Sequence, residues 1–135
     1  KALEIESPYE FVCIGLTATE RSFLYQRIDR RVEEMISLGL EKEVRELQLD
    51  QCSRTARQAI GYRQFEEYFA GKTSLQDTIA QIQKESRNYA KRQLTWFRRD
   101  SRIHWYAVDV EKFDNILNSA SERIAKRKEI WYNKI

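Results

Sequence analysis

The chain has 135 residues, of which 33% are charged, 41% hydrophobic and 12% aromatic. This composition is typical of a folded domain of ordinary size and excludes collagen-like, mucin-like and generically disordered chains. The 24 Lys and Arg residues against 21 Asp and Glu residues leave a formal charge of +3, which alone indicates no class of partner.

The two cysteines are too few for a disulfide scaffold and indicate a reducing compartment, so we expect a cytoplasmic protein. Zinc binding would require Cys13 and Cys52 to converge on His104, the one histidine, so we expect no metal site. The sequence contains no run of 18 apolar residues and no signal-peptide pattern. It opens at Lys1 rather than at a methionine, and we therefore expect a fragment of a longer protein.

The first predicted elements are a strand and a long helix. An apolar, β-branched run over residues 10–17 predicts a buried strand. The sequence Thr17-Ala18-Thr19-Glu20 fits a capping box, which predicts that a helix follows. Apolar residues at spacings of three and four carry this helix to about Leu38, and Gly39 supplies a left-handed stop.

The remaining elements follow from the same periodicities and from turn residues. We expect a helix over residues 40–49, a loop over residues 50–58 that leads into a short helical piece, and a helix that ends at Gly71. Ser74, with Asp77 three residues later, predicts the start of a long helix that reaches about Arg99. A strand over residues 103–108 and a helix over residues 111–135 complete the chain.

These elements predict a predominantly helical α/β fold of about five helices and two short strands. We find no internal repeat, linker or low-complexity segment. We therefore expect residues 1–135 to form a single portion of one domain, with no internal boundary.

The long helix has a cationic face. At 100° per residue, six side chains fall within about a quarter of its circumference if the helix reaches residue 102; they are Lys84, Arg87, Lys91, Thr95, Arg98 and Arg102. Residues 84–102 contain seven Lys and Arg residues and two acids, a local charge of +5. Such a stripe suits a polyanion, because each phosphate contact releases counterions. The alternative is a solvated helix face with no ligand.

Gln93 is the polar exception on the apolar face of the same helix, near Tyr89, Ala90, Trp96 and Phe97. A buried amide requires hydrogen-bond partners. Two interpretations remain open: Gln93 orders the core by binding a backbone group, or this face borders a polar pocket in which the amide holds a base or a pyrophosphate-binding loop. We expect Trp96 to be a core residue more often than a base-stacking one.

Four segments of the sequence form a specific pattern. The most specific is Ala-Lys-Arg-Gln-Leu-Thr-Trp-Phe-Arg at residues 90–98, followed by Ile-Gly-Tyr-Arg-Gln at residues 60–64. Residues 21–32 and 39–44 contribute the other two segments. In this order and spacing the segments resemble the C-terminal part of bacterial tRNA dimethylallyltransferases, and the resemblance covers roughly Phe11 to Trp105.

This resemblance implies transfer of a dimethylallyl group from dimethylallyl diphosphate to N6 of adenosine 37 of tRNA, next to the anticodon. It implies that the base is flipped out of its loop before reaction and that Mg²⁺ assists departure of diphosphate. The core implied is an α/β fold of the P-loop type, whose phosphate loop and general base lie in an N-terminal half that this sequence does not contain. We therefore expect no catalytic residue in the chain, no activity from it alone, and an association with that half or a dimer.

By the same resemblance, two stretches contact the tRNA anticodon stem-loop. We expect the Lys and Arg members to hold phosphates, while Gln93 and Trp96 shape the site from behind. Arg21 is a weaker candidate for contact with diphosphate. The residues implied are Gln58, Ala59, Ile60, Gly61, Tyr62, Arg63, Lys91, Arg92, Gln93, Leu94, Thr95, Trp96, Phe97 and Arg98.

Two other functions stay open from the residues alone. The cationic helix could belong to a stand-alone RNA-binding module without catalysis. It could also belong to a helical interaction domain whose charged face is only solvated.

Overall fold

A computed structural model describes residues 11–47 and 52–132, with the side chains of residues 127–132 excepted. Within these ranges the chain forms two strands and six helices, which confirms the expected predominantly helical α/β class. In chain order they are β1 (Cys13–Thr17), α1 (Arg21–Ser37), α2 (Leu40–Glu46), α3 (Arg54–Arg57), α4 (Arg63–Phe69), α5 (Leu75–Phe97), β2 (Ile103–Ala107) and α6 (Phe113–Tyr132). Parts of the elements expected over residues 10–17, 40–49, 50–58 and 111–135 lie outside the described residues.

The described residues group into two compact units. Residues 21–96 form a helical unit, and the second unit contains the described residues on either side of that range. In the second unit β1 and β2 pair in parallel, from Cys13 opposite Ile103 to Thr17 opposite Ala107. Gly15 lies opposite Trp105, and a Cβ atom built at Gly15 would lie 2.5 Å from Cε3 of that ring. The pairing therefore requires glycine at this point of β1.

The core of the helical unit is a compact apolar cluster contributed by α1, α2, α4 and α5. Its buried members are Val32, Leu40, Val44, Phe65 and Ile82. Phe65 also packs against the rings of Tyr68 and Phe69, with centroid distances of 6.0 and 5.5 Å. Burial of this cluster, rather than helix propensity, accounts for helices as short as α2 and α4.

Three predicted helix boundaries are confirmed. Gly39 follows α1 with φ 102°, and Gly71 follows α4 with φ 70°, so both occupy the left-handed region that ends a helix. At the start of α5, the Ser74 hydroxyl accepts a hydrogen bond from the Asp77 amide at 3.1 Å and donates one to the Asp77 carboxylate at 2.7 Å.

The capping box predicted at Thr17 and Glu20 is wrong. The amides of Thr19 and Glu20 instead donate to the two carboxylate oxygens of Asp109, at 2.9 and 2.8 Å. These bonds lower the pKa of Asp109. Thr17 is the last residue of β1, so its backbone is committed to the sheet and its hydroxyl lies 3.5 Å from the Ala18 carbonyl oxygen.

Candidate functional site

The two halves of α5 have different surroundings. The first half contains its buried residues, Thr78 and Ile82, and Ile82 packs in the core of the helical unit. From residue 88 to residue 97, every side chain except Ala90 and Leu94 is exposed. This exposed half coincides with the most specific of the segments identified in the sequence.

Two cations on the exposed half of α5 are available to a ligand. Lys91 and Arg92 are exposed, and no carboxylate among the described residues forms an ion pair with either of them. The Arg92 guanidinium lies over the Tyr89 ring, 5.8 Å from its centroid, which orients the cation without neutralising it. The Thr95 hydroxyl donates to the Lys91 carbonyl oxygen at 2.9 Å.

The six-member stripe required the helix to reach residue 102, but α5 ends at Phe97. Arg98 lies in the following turn, and Arg102 pairs with Asp100 at 2.7 Å, a contact that lowers the pKa of Asp100 to about 2. Arg87 pairs with Asp29 of α1. The helical part of the stripe that keeps exposed cations is therefore Lys84 and Lys91.

The burial expected for Gln93 and Trp96 is also wrong. Gln93 is exposed, and Trp96 is 67% exposed. The apolar residues that α5 buries lie in its first half. The apolar periodicity of the sequence thus continues beyond the last residue of α5 that packs against the core. A polar pocket beside Gln93 stays a prediction.

The turn before α4 is built on Gly61. Gly61 is buried with φ 98°, a conformation that side chains rarely adopt. Its amide donates to Oε1 of buried Gln64 at 2.9 Å. The structural role of this glycine is thus to let the turn close onto the first residues of α4.

Tyr62 and Arg63 bind other residues of the same unit. The Tyr62 hydroxyl donates to the Glu43 carboxylate, and this hydrogen bond raises the pKa of Tyr62. Arg63 pairs with Glu85 of α5. Burial is the largest single influence on the pKa of Glu85 and would raise it, but hydrogen bonds from Arg63, Gln64 and Gln81, together with the charge of Arg63, outweigh burial and lower the pKa. Glu85 precedes Lys91 by six residues, so the turn contacts α5 about 9 Å along the helix from the exposed cations.

Two cavities of opposite charge lie beside the first turn of α4, and both are lined by Arg63 and Glu66. One has a volume of about 410 Å³ and adds three further acids, Glu67, Asp77 and Glu85. The other has a volume of about 550 Å³ and adds Cys52, Arg54, Arg57 and Gln58. Arg54 and Arg57 were not predicted as site residues from the sequence. Their spacing of three, which places both on one face of a short helix, could have indicated them.

Three further features of the described residues add no contact to the candidate site. Arg21 is exposed at the first position of α1, and its contact with diphosphate stays a prediction. No described helix is both long and apolar enough to cross a bilayer. Across residues 11–47 and 52–132, no three His, Cys, Asp or Glu side chains cluster as metal ligands would.

Comparison with known proteins gives consistent matches. The family model described as IPP transferase matches residues 1–100. A tRNA dimethylallyltransferase of Geobacillus thermodenitrificans is 52% identical over 109 residues, which is 78% of this chain and 34% of the relative. Two crystal structures of tRNA isopentenylpyrophosphate transferases superpose with TM-scores of 0.80. The Staphylococcus epidermidis structure is 35% identical and the Bacillus halodurans structure 39% identical, and the matches cover 88% and 92% of this chain.

The matched region is only part of these proteins. The chain spans about a third to two fifths of the length of the relatives and structures that it matches, at their C-terminal part. The two-stranded parallel sheet and the helices fit a fragment of the α/β fold of those structures.

Proposed function

The chain belongs to the IPP transferase family, and on this premise we propose that it is part of a tRNA-modifying prenyltransferase and supplies surface that contacts tRNA. The reaction proposed is transfer of a dimethylallyl group from dimethylallyl diphosphate to N6 of adenosine 37. The single observation that carries the tRNA contact is the exposed half of α5, where Lys91 and Arg92 have no acidic partner among the described side chains.

Charge on this half of α5 supports a phosphate-binding role. Arginine can bind two phosphate oxygens at once, and lysine supplies a compact charge. The Arg92 guanidinium lies over the exposed ring of Tyr89, and an exposed aromatic ring can stack on an unpaired base. This combination suits a loop of RNA better than a duplex, because only unpaired bases are free to stack.

The residues of the turn at 58–63 have a different role in this proposal. Tyr62 and Arg63 bind Glu43 and Glu85, so their side chains hold the turn in place. Gln58 and Ala59 are exposed and present the backbone and one amide to the RNA. The turn therefore positions the RNA, whereas α5 supplies the positive charge that binds its phosphates.

We assign no catalytic residue and no metal ligand to this chain. The described side chains do not fit a Mg²⁺ site, because no three His, Cys, Asp or Glu residues among them cluster as ligands would. Dimethylallyl diphosphate is the co-substrate proposed, and its reacting end would be bound by segments that precede the matched part of the relatives. A chain that contacts tRNA without those segments is expected to have no transferase activity.

Binding of an anticodon stem-loop RNA tests the tRNA contact. The substitutions K91Q and R92Q together should lower the affinity, and the slope of log affinity against log salt should fall by roughly 1.4, because about 0.7 is lost per single-stranded phosphate contact. The matched control is R30Q, an exposed arginine of α1 paired with Glu34 at 2.9 Å, which should leave affinity and slope unchanged. Equal affinity and slope in the K91Q/R92Q variant would refute the contact.

Transfer activity separates this proposal from a stand-alone RNA-binding module. The corresponding C-terminal segment of the Geobacillus thermodenitrificans relative would be replaced by this chain, and dimethylallyl transfer to tRNA would be measured. We expect the chimera to be active and the chain alone to be inactive. A folded chimera that binds the stem-loop but transfers nothing would favour the module.

A further inference from the structure

We propose that the 550 Å³ cavity beside α3 binds a phosphate group of the RNA backbone, and that Arg54 and Arg57 are RNA-positioning residues. The inference rests on the proposed function, because it names a second place where the same RNA is held. It adds two residues that neither the sequence analysis nor the family resemblance singled out.

The charge of the cavity is the first argument. Three guanidinium groups, those of Arg54, Arg57 and Arg63, face a single carboxylate, that of Glu66. Arg57 pairs with Glu66, and Arg63 pairs with Glu85, which does not line this cavity, so the excess positive charge is that of Arg54 and an anion can compensate it.

The state of each guanidinium is the second argument. No carboxylate among the described residues pairs with Arg54, which is exposed. Arg57 donates through Nε and Nη2 to one oxygen of Glu66, at 3.2 and 3.1 Å, and so keeps its other donors. Arg57 is held in place by this pair, and Arg54 supplies charge that the described structure leaves uncompensated.

The position of the cavity is the third argument. Gln58 and Arg63 line it, and both belong to the stretch proposed to contact tRNA. On the other side of the Arg63–Glu66 turn, the 410 Å³ cavity carries Glu66, Glu67, Asp77 and Glu85 and repels phosphate. An RNA backbone that reaches this turn is therefore repelled by the acidic cavity and directed to the cavity beside α3.

A phosphoryl group could come from RNA or from the diphosphate of a prenyl donor, and the same arginine chemistry would bind either. RNA is favoured because Arg54, Arg57 and Gln58 are all exposed at the surface. A polymer can leave such an open cavity on both sides, whereas a reacting diphosphate is better held where water is excluded.

Cys52 provides a reporter inside the cavity. Its thiol lines the cavity, is half-buried and donates to the Leu47 carbonyl oxygen at 3.3 Å. In a C13S variant it is the one remaining thiol of the chain. The rate of alkylation of Cys52 by iodoacetamide would be followed by mass spectrometry. We expect a saturating anticodon stem-loop RNA to slow this alkylation. Sodium diphosphate at equal charge should leave the rate unchanged.

Substitution gives the second readout. R54Q and R54Q/R57Q should weaken stem-loop binding, the double variant by roughly 10- to 100-fold, since hydrogen bonds to charged groups carry that much. The salt slope should fall by about 0.7 to 0.9 for the one phosphate lost. R54Q removes no side-chain hydrogen bond or ion pair between described residues, so we expect the chain to stay folded, while R30Q again serves as the matched control.

The outcomes separate this inference from the proposed function. If K91Q/R92Q weakens binding but R54Q/R57Q does not, and Cys52 is alkylated equally fast in the RNA complex, the cavity is no RNA site although the proposed function stands. If diphosphate protects Cys52 and RNA does not, the cavity belongs to the donor and the inference is overturned. If the unsubstituted chain binds no stem-loop, both fail.

Discussion

The hydrogen bond from the Tyr62 hydroxyl to Glu43 fixes the protonated form of this phenol in the folded chain. It is the main cause of the raised pKa of Tyr62, whose ordinary value is 10.0. A group with a raised folded pKa contributes stability that is present below its unfolded pKa and lost as the pH rises through the folded pKa. The contact between α2 and the turn before α4 should therefore weaken only above about pH 10.

Ultraviolet titration of the seven tyrosines tests this assignment. The difference between the unsubstituted chain and Y62F isolates Tyr62, which we expect to ionise above its ordinary range. E43Q should move that ionisation down, because the partner oxygen then carries no charge. A difference curve centred at or below pH 10 would contradict the hydrogen bond.

Single residues also show where sequence reasoning stops. Glycine alone readily permits a left-handed backbone, and Gly61 adopts one with a φ of 98°. Arg57 was not recognisable as a cavity residue, because its partner Glu66 lies nine residues away in another helix. Periodicity misplaced Trp96, since a helix can keep its apolar pattern beyond the point where its unit has a core to pack on.

At the scale of elements, the amides at a helix start are capped either by a residue in the same turn or by one far away in the sequence. Ser74 and Asp77 form their cap within one turn, so the sequence alone predicts it. Thr17 and Glu20 have the same spacing, but β1 takes up the backbone of Thr17, and Asp109, 89 residues from Glu20, accepts from that amide instead. A strand that pairs with a distant segment overrides a local capping signal, and only the fold reveals the substitute.

This difference predicts unequal costs for two similar substitutions. S74A should reduce the free energy of unfolding by about 1 kcal/mol, because the Asp77 amide loses its acceptor at the start of α5. T17V should change it by less than about 0.5 kcal/mol, because the Thr17 hydroxyl caps no helix and valine suits a strand. Urea unfolding followed by circular dichroism measures both. A larger loss in T17V than in S74A would restore the predicted capping box.

At the scale of the whole molecule, the chain resembles a piece of a larger α/β sheet protein. β1 exposes Ile14 and Leu16, at 38% and 59%, and α6 exposes Phe113 and Leu117, at 72% and 53%. The second unit thus presents apolar side chains on both of these elements, more than a unit with a complete core leaves in water. The relatives are more than twice as long, and their additional length precedes the matched segment. We propose that this preceding part is what covers the second unit.

The proposal predicts association in solution. The part of the Geobacillus thermodenitrificans relative that precedes the match, added in trans, should bind the chain, protect the amides of β1 from hydrogen exchange and abolish binding of a hydrophobic dye. L16E should weaken this association, because it places a charge on the covered strand. L38E is the matched control, since Leu38 is 87% exposed between α1 and α2 in the other unit. The competing outcome is a stable dimer of the chain that binds no dye and in which the added segment does not change hydrogen exchange of the β1 amides. That outcome would show that a second copy of the chain covers this surface instead.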